Sequence, residues 1–292
     1  MSSSFEQFYQ TFKNLVPKER FTIPQYRQNF ALLMSFFPPA PDVHFTECSI
    51  GKLSCAYAHV PGCNPEQVIL FFHGGGYHFG SIETHRDIMG RLARASGCYV
   101  FAIEYRLAPE HTFPAALEDA VIGYHYLLQE GISPQKIFVA GLSAGGGLVL
   151  TLCLKLLEQK HALPRGGICL SSWMDLALTG KTLNHHEDLI FKWQLKAAAD
   201  NYLQGHDPQD PFASPLYGNL QGLPPLLIQI GSREILFDEN ERLAQKARES
   251  GVEVDFQCFP EMIHSWHLFA SLIPEGQQAI EKIGEFIKSR LL

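Results

Sequence analysis

Residues 136–150 read KIFVAGLSAGGGLVL, and this stretch places one serine, Ser143, where a strand must turn abruptly into a helix. Ile137, Phe138, Val139 and Ala140 form an uninterrupted apolar run, the pattern of a strand buried on both faces. Gly145, Gly146 and Gly147 then lead into an apolar periodicity that predicts a helix over 146–160. Between strand and helix lies Gly141-Leu142-Ser143-Ala144-Gly145, whose glycines remove side chains where backbone passes close to backbone. A serine on such a strained turn holds its hydroxyl above the sheet, as a nucleophile requires. G-x-S-x-G alone is a common pattern. The strand before it and the helix after it give it weight.

Outward from this turn, strand-sized apolar runs at 68–72, 99–103, 137–140, 168–170, 226–230 and 252–259 are separated by helix-sized stretches. The helices are expected at 84–95, 114–129, 146–160, 238–250 and 275–291. Strands alternating with helices predict an α/β fold, a mostly parallel sheet flanked by helices. Residues 43–60 alternate as two early antiparallel strands closed by Pro61-Gly62. Near the N-terminus, Phe5, Phe8, Tyr9, Phe12 and Leu15 recur at helical spacing, and Pro38, Pro39 and Pro41 stop any helix that follows. Residues 177–221 break the alternation, with one helix near 188–203. An insertion lying over the C-terminal ends of the strands accounts for that break. Together with residues 1–40 it is expected to cap the substrate site of a single domain, 1–292.

Composition limits the partners. With 46% hydrophobic residues, 18% charged residues and a formal charge of −7, the chain is globular and a poor match for nucleic acid or an anionic membrane. No uncharged apolar run approaches the ~20 residues that cross a bilayer, and the N-terminus lacks a signal-peptide pattern. The expectation is no stable membrane anchor and a cytoplasmic location. Cys48, Cys55, Cys63, Cys98, Cys153, Cys169 and Cys258 are odd in number, lack C-x-x-C spacing and fall in apolar patterns, so they are expected to pack as reduced thiols.

Acyl transfer by serine needs a base, an acid to orient it, and donors for the oxyanion. Residues 71–77, FFHGGGY, follow a buried strand, and their glycines free backbone N–H groups to point inward. With the N–H of Ala144 these would form an oxyanion hole. A phosphate loop is the competing use of such glycines, but neither G-x-x-x-x-G-K-[ST] nor G-x-G-x-x-G is present.

HGGGY at 73–77, YRLAPEH at 105–111 with FPAAL at 113–117, and GLSAGG at 141–146 together resemble the hormone-sensitive-lipase-like (bacterial type IV) esterases of the α/β-hydrolase fold. SSWMDL at 171–176 and SPLYG at 214–218 are in keeping. The likeness runs from about Val68 to the C-terminus. It implies a triad in the order Ser, Asp or Glu, His, and oxyanion donors at Gly75, Gly76 and Ala144. It also implies a carboxylesterase acting on uncharged, small-molecule esters of short to medium acyl chain, without metal or cofactor. An amidase, deacetylase or formamidase could use the same triad, and a noncatalytic ligand-binding protein could use the same fold.

Two positions depart from the family pattern. Leu142 stands where GDSAGG has Asp, which predicts altered packing or pH response with activity retained. The D-P-L-x-D-E motif is replaced by Glu234-Ile235-Leu236-Phe237-Asp238-Glu239, whose alignment puts Glu234 at the acid position. Asp238 is the rival acid, or else an N-cap of the next helix. His264, after the last strand and before Ser265 and Trp266, is the expected base, with His267 its rival. His73, His85, His111, His185, His186 and His206 read as structural or surface residues; adjacent histidines in a helix diverge, so His185-His186 makes no metal site. Arg106 suits a buried ion pair, and Pro114 the first turn of the next helix. Tyr77, Phe79 and Trp173 flank the motif loops and are the expected substrate pocket.

Overall fold

Alternate side chains of one strand, Ile137–Leu142, enter two different cores. Ile137 and Val139 face one apolar cluster, while Phe138, Ala140 and Leu142 face the other, and every residue of the strand is buried. The same division holds for Val68, Leu70 and Phe72 against Ile69 and Phe71. A two-residue period with both faces apolar is why these runs read as continuous hydrophobic stretches.

The computed structural model describes residues 2–15, 21–185 and 187–291, with the side chains of residues 14 and 15 also outside the description. The expectations for His186 and for the Leu15 side chain therefore lie outside the described residues. The strands are β1 (His44–Ile50), β2 (Leu53–His59), β3 (Asn64–Phe72), β4 (Cys98–Ile103), β5 (Ile137–Leu142), β6 (Gly166–Leu170), β7 (Leu226–Gly231) and β8 (Val254–Phe259). They form one eight-stranded sheet in the order β1-β2-β4-β3-β5-β6-β7-β8. Only β2 runs against the rest, pairing antiparallel with β1 and with β4.

The helices are α1 (Ser3–Leu15), α2 (Ile23–Ser35), α3 (Arg86–Ser96), α4 (Ala115–Gln129), α5 (Ala144–Glu158), α6 (Lys192–Leu203), α7 (Phe237–Glu249) and α8 (Pro274–Leu291). Helices α4, α5 and α7 supply one core and α1, α3 and α8 the other. In α1, Phe8 and Phe12 pack on Phe269 with ring centroids 4.6 and 5.1 Å apart, as the aromatic spacing requires. From β3 the chain moves one way to β4, then crosses back over β3 to β5 and continues outward to β8. The ends of β3 and β5 thus flank the switch point, where an open sheet leaves a crevice.

Several expected boundaries shift, and three of the shifts have a clear physical reason. The helix predicted over 146–160 begins at Ala144, so the glycines lie inside its first turn instead of preceding it. A Cβ on Gly145 would stand 2.2 Å from the Phe72 carbonyl oxygen, and one on Gly146 1.8 Å from Ser172 Oγ. The helix near 188–203 begins at Lys192, because the Asp188 carboxylate is turned inward onto backbone and Phe191 N–H donates instead to Gln194 Oε1, at 2.8 Å. Pro114 precedes α4 by one residue, in the capping position instead of the first turn. Arg106 pairs with Asp119 and Glu118 of α4, with Nε 3.0 Å from Asp119 Oδ1, but only the Asp119 partner is buried; the guanidinium and Glu118 reach solvent, so the expected burial of the pair is only partial.

Candidate active site

Ser143 joins β5 to α5 with φ 56° and ψ −119°, a conformation that costs a non-glycine residue about 1–3 kcal/mol. Its surroundings hold it there. The Ser143 N–H donates to Leu170 O at 2.8 Å, and its carbonyl accepts from Gly146, Gly147 and Trp173 N–H groups. A Cβ on Gly141 would lie 2.1 Å from Gly145 O, so the turn closes only with glycine at its base. Leu142, where the family pattern has Asp, is buried in the α3/α8 core.

Three side chains converge from the ends of β5, β7 and β8. Ser143 Oγ lies 2.9 Å from His264 Nε2, and His264 Nδ1 lies 3.0 Å from Glu234 Oε2. The other oxygen of Glu234 accepts from Ser171 Oγ at 2.8 Å and from Gly231 N–H at 2.7 Å. Burial pushes the Glu234 pKa up, and these two donors oppose it. With His264 Nδ1 they complete a set of donors suited to an ionised carboxylate. Donation from Nδ1 leaves Nε2 free to accept the serine proton. Burial also pushes His264 below its ordinary value, and the nearby Asp188 charge opposes that shift. Neutral imidazole is therefore favoured, the form a general base needs.

The rivals stand elsewhere. Asp238 pairs with Arg242 at 3.1 Å and is the second residue of α7, not its N-cap, because Leu236 holds that position. His267 is fully buried, its Nε2 3.0 Å from Gln229 Oε1, and burial pushes its pKa down to about 3.

The glycine loop after β3 is braced from beneath. Gly75 and Gly76 have φ of +125° and +58°, and a Cβ on Gly75 would lie 2.1 Å from Phe79 O. Gly74 N–H donates to His85 Nε2 at 3.0 Å, and Tyr105 hydroxyl donates to His73 O at 2.8 Å. Burial pushes His73 to about 4 and His85 to about 3, so His85 stays an unprotonated acceptor at neutral pH. Among the described residues, the N–H groups of Gly75, Gly76 and Ala144 have no protein acceptor and are free to donate.

The three expected pocket residues differ in setting. Phe79 is partly exposed and stacks on Tyr26 of α2 at 5.8 Å, with Phe30 edge-on at 5.1 Å. Tyr77 and Trp173 are buried, the Trp173 indole donating to Asp175 O at 3.1 Å and the Tyr77 ring stacking on Tyr202 of α6 at 4.0 Å. Sequence reasoning missed Ser171 and Asp188. Ser171 lies in the SSWMDL stretch, which marks no role for it, and Asp188 reads only as a helix start; their contacts with Glu234 and with distant backbone arise from the fold.

A family model described as alpha/beta hydrolase fold matches residues 69–268. An acetyl-hydrolase of Streptomyces hygroscopicus is 42% identical over 232 residues, 78% of each chain. The crystal structure of an esterase from the bacterial hormone-sensitive lipase family superposes with a TM-score of 0.97 at 38% identity, covering 100% of this chain and 99% of that one. EstE5, solved after soaking with p-nitrophenyl butyrate, gives 0.96 at 36% identity, covering 99% of both chains. The chain therefore belongs to the α/β-hydrolase-fold family, among the hormone-sensitive-lipase-like esterases, and is a carboxylic ester hydrolase.

Proposed function

We propose that the chain hydrolyses uncharged esters of short to medium acyl chain, with Ser143 as nucleophile, His264 as base and then acid, and Glu234 as the group that orients His264. The observation that carries this is a single ring, His264, bridging Ser143 Oγ at 2.9 Å and Glu234 Oε2 at 3.0 Å. As Oγ attacks the ester carbonyl, its proton passes to Nε2, and Glu234 stabilises the imidazolium that forms. The developing oxyanion is received by the N–H groups of Gly75, Gly76 and Ala144. His264 then protonates the leaving alkoxide, and a water deprotonated by the same ring hydrolyses the acyl-enzyme. No step calls for a metal or cofactor.

The acyl range is supported by the acetyl-hydrolase relative and by the butyrate ester soaked into EstE5. We read α2 and residues 177–221 as a cap, on the contacts of Tyr26 and Phe30 with Phe79 and of Tyr202 with Tyr77; α1, expected to join it, packs instead on Phe269. An apolar roof selects by burial of the acyl chain and not by charge. No helix among the described residues is long and apolar enough to cross a membrane. The seven free thiols are in keeping with a reducing compartment such as the cytoplasm. Turnover of p-nitrophenyl acetate, butyrate, octanoate and palmitate, with Ser143→Ala as control, tests the proposal. Acetate to octanoate should be preferred and the control inactive; rates that peak at palmitate, or a control that keeps a substantial share of activity, would sink it.

A further inference from the structure

Asp188 lies in the irregular segment between β6 and α6, yet only 3% of it is exposed. Its Oδ1 accepts from the N–H of Leu189 at 2.8 Å and from the N–H of His264 at 2.8 Å, while Oδ2 accepts from Ile235 N–H at 2.9 Å. Ile235 follows the acid Glu234, and His264 is the base itself. One carboxylate thus spans the two loops that carry the dyad. We propose that Asp188 is a positioning residue for the triad: it fixes the backbone of the acid loop against that of the base loop and sets a second negative charge beside the His264 ring. This inference rests on the triad assigned above.

Geometry explains why a carboxylate is needed. Both oxygens face backbone N–H groups, so an amide at this position would direct its own NH₂ at one of those donors. The charged groups around Asp188 are few. Glu234 on the acid loop raises its pKa and His264 on the base loop lowers it, and burial dominates, pushing it up to about 6. The Arg233–Glu261 ion pair ties the same two loops farther out, with Nε 3.0 Å from Oε2, and Glu187 on the Asp188 segment is exposed. Near neutral pH Asp188 is ionised and favours the protonated ring, the state His264 reaches as Ser143 attacks.

The test is the pH dependence of p-nitrophenyl butyrate hydrolysis by the full chain carrying Asp188→Asn. kcat should fall about ten- to hundredfold while KM changes by less than about threefold, because the interaction strengthens in the transition state. The acid limb of kcat/KM should also move to lower pH, because the ring loses the charge that favours its protonation. A purely structural role would lower Tm and leave that limb in place. An unmoved limb, or a kcat within about twofold of wild type, overturns the proposal. If the amide prevents folding, Asp188→Ser is read in the same way, since it removes the charge without an opposing NH₂. Residual activity in Ser143→Ala would instead condemn the triad assignment.

Discussion

Ser143 and His264 could be found in the sequence because each is marked by its neighbours. Glu234 is placed by alignment on Leu236 and Asp238-Glu239, and in the structure Glu234 Oε2 lies 3.0 Å from His264 Nδ1 while Asp238 pairs with Arg242. Glu234→Gln should cut kcat by a factor of about 10³ to 10⁴, because an amide favours the wrong ring tautomer and cannot stabilise the imidazolium. Asp238→Asn should cost only about 0.5–1 kcal/mol of stability through its partner Arg242, with kcat nearly unchanged. Steady-state kinetics of both variants decide the matter, and the reverse ranking would transfer the role to Asp238. The pH profile follows from burial of His264. A ring whose pKa is depressed is already neutral above that pKa, so kcat/KM should rise with pH through a midpoint below the ordinary imidazole value of 6.5. A midpoint at or above that value would contradict the account. Asp188 left no trace of a link to the triad in the sequence because the contacts that tie it there are to backbone N–H groups of residues 47 and 76 positions away.

At the scale of elements, the strand cores were legible, since a doubly buried strand is a run of apolar side chains and little else, but β3 begins at Asn64, four residues before its apolar run, on mostly polar and exposed residues. Helix starts were less so. The first turn of α5 is packed between the β3 carbonyls and the segment at 171–173, a constraint from chain far away in sequence. Its glycines read locally as a break before a helix, when they are the only residues that fit inside one. Gly145→Ala should therefore destabilise the protein by more than about 3 kcal/mol or prevent soluble expression, because the clash is with Phe72 and His73 backbone that cannot rotate away. Denaturant unfolding checks this, and a loss under about 1 kcal/mol would mean that α5 can shift at little cost.

Over the whole molecule, parallel order and two-layered packing followed from alternation alone, whereas the irregular path between β6 and β7 carried no periodic signal to read. Burial on this scale also has a pH signature. His73, His78, His85 and His267 are pushed down to between about 3 and about 4, so the unfolded chain takes up protons that the folded one refuses. Each ring's contribution is complete above its unfolded value near 6.5 and is lost as pH falls toward the folded value, at about 1.4 kcal/mol per pH unit. The buried carboxyls Asp188, Glu234 and Glu239 act in the opposite sense, so the informative comparison is wild type against His267→Gln. Between about pH 6 and about pH 5 wild type should lose about 1 kcal/mol more than the variant in urea unfolding, and parallel losses would refute the assignment.

The stack of Tyr77 on Tyr202 has a mechanical side. Tyr77 O accepts from Ala108 N–H and Tyr202 O from Phe113 N–H, both at 2.8 Å, so α6 and the glycine loop are clamped to the same stretch of chain. With the oxyanion role proposed for Gly76, a substrate bulky enough to lever α6 outward would drag the Tyr77 ring with it and displace the neighbouring Gly76 N–H. Oversized acyl chains would then be penalised in turnover as well as in uptake, and the molecule would gauge its substrate by the leverage that substrate exerts on the groups that cleave it.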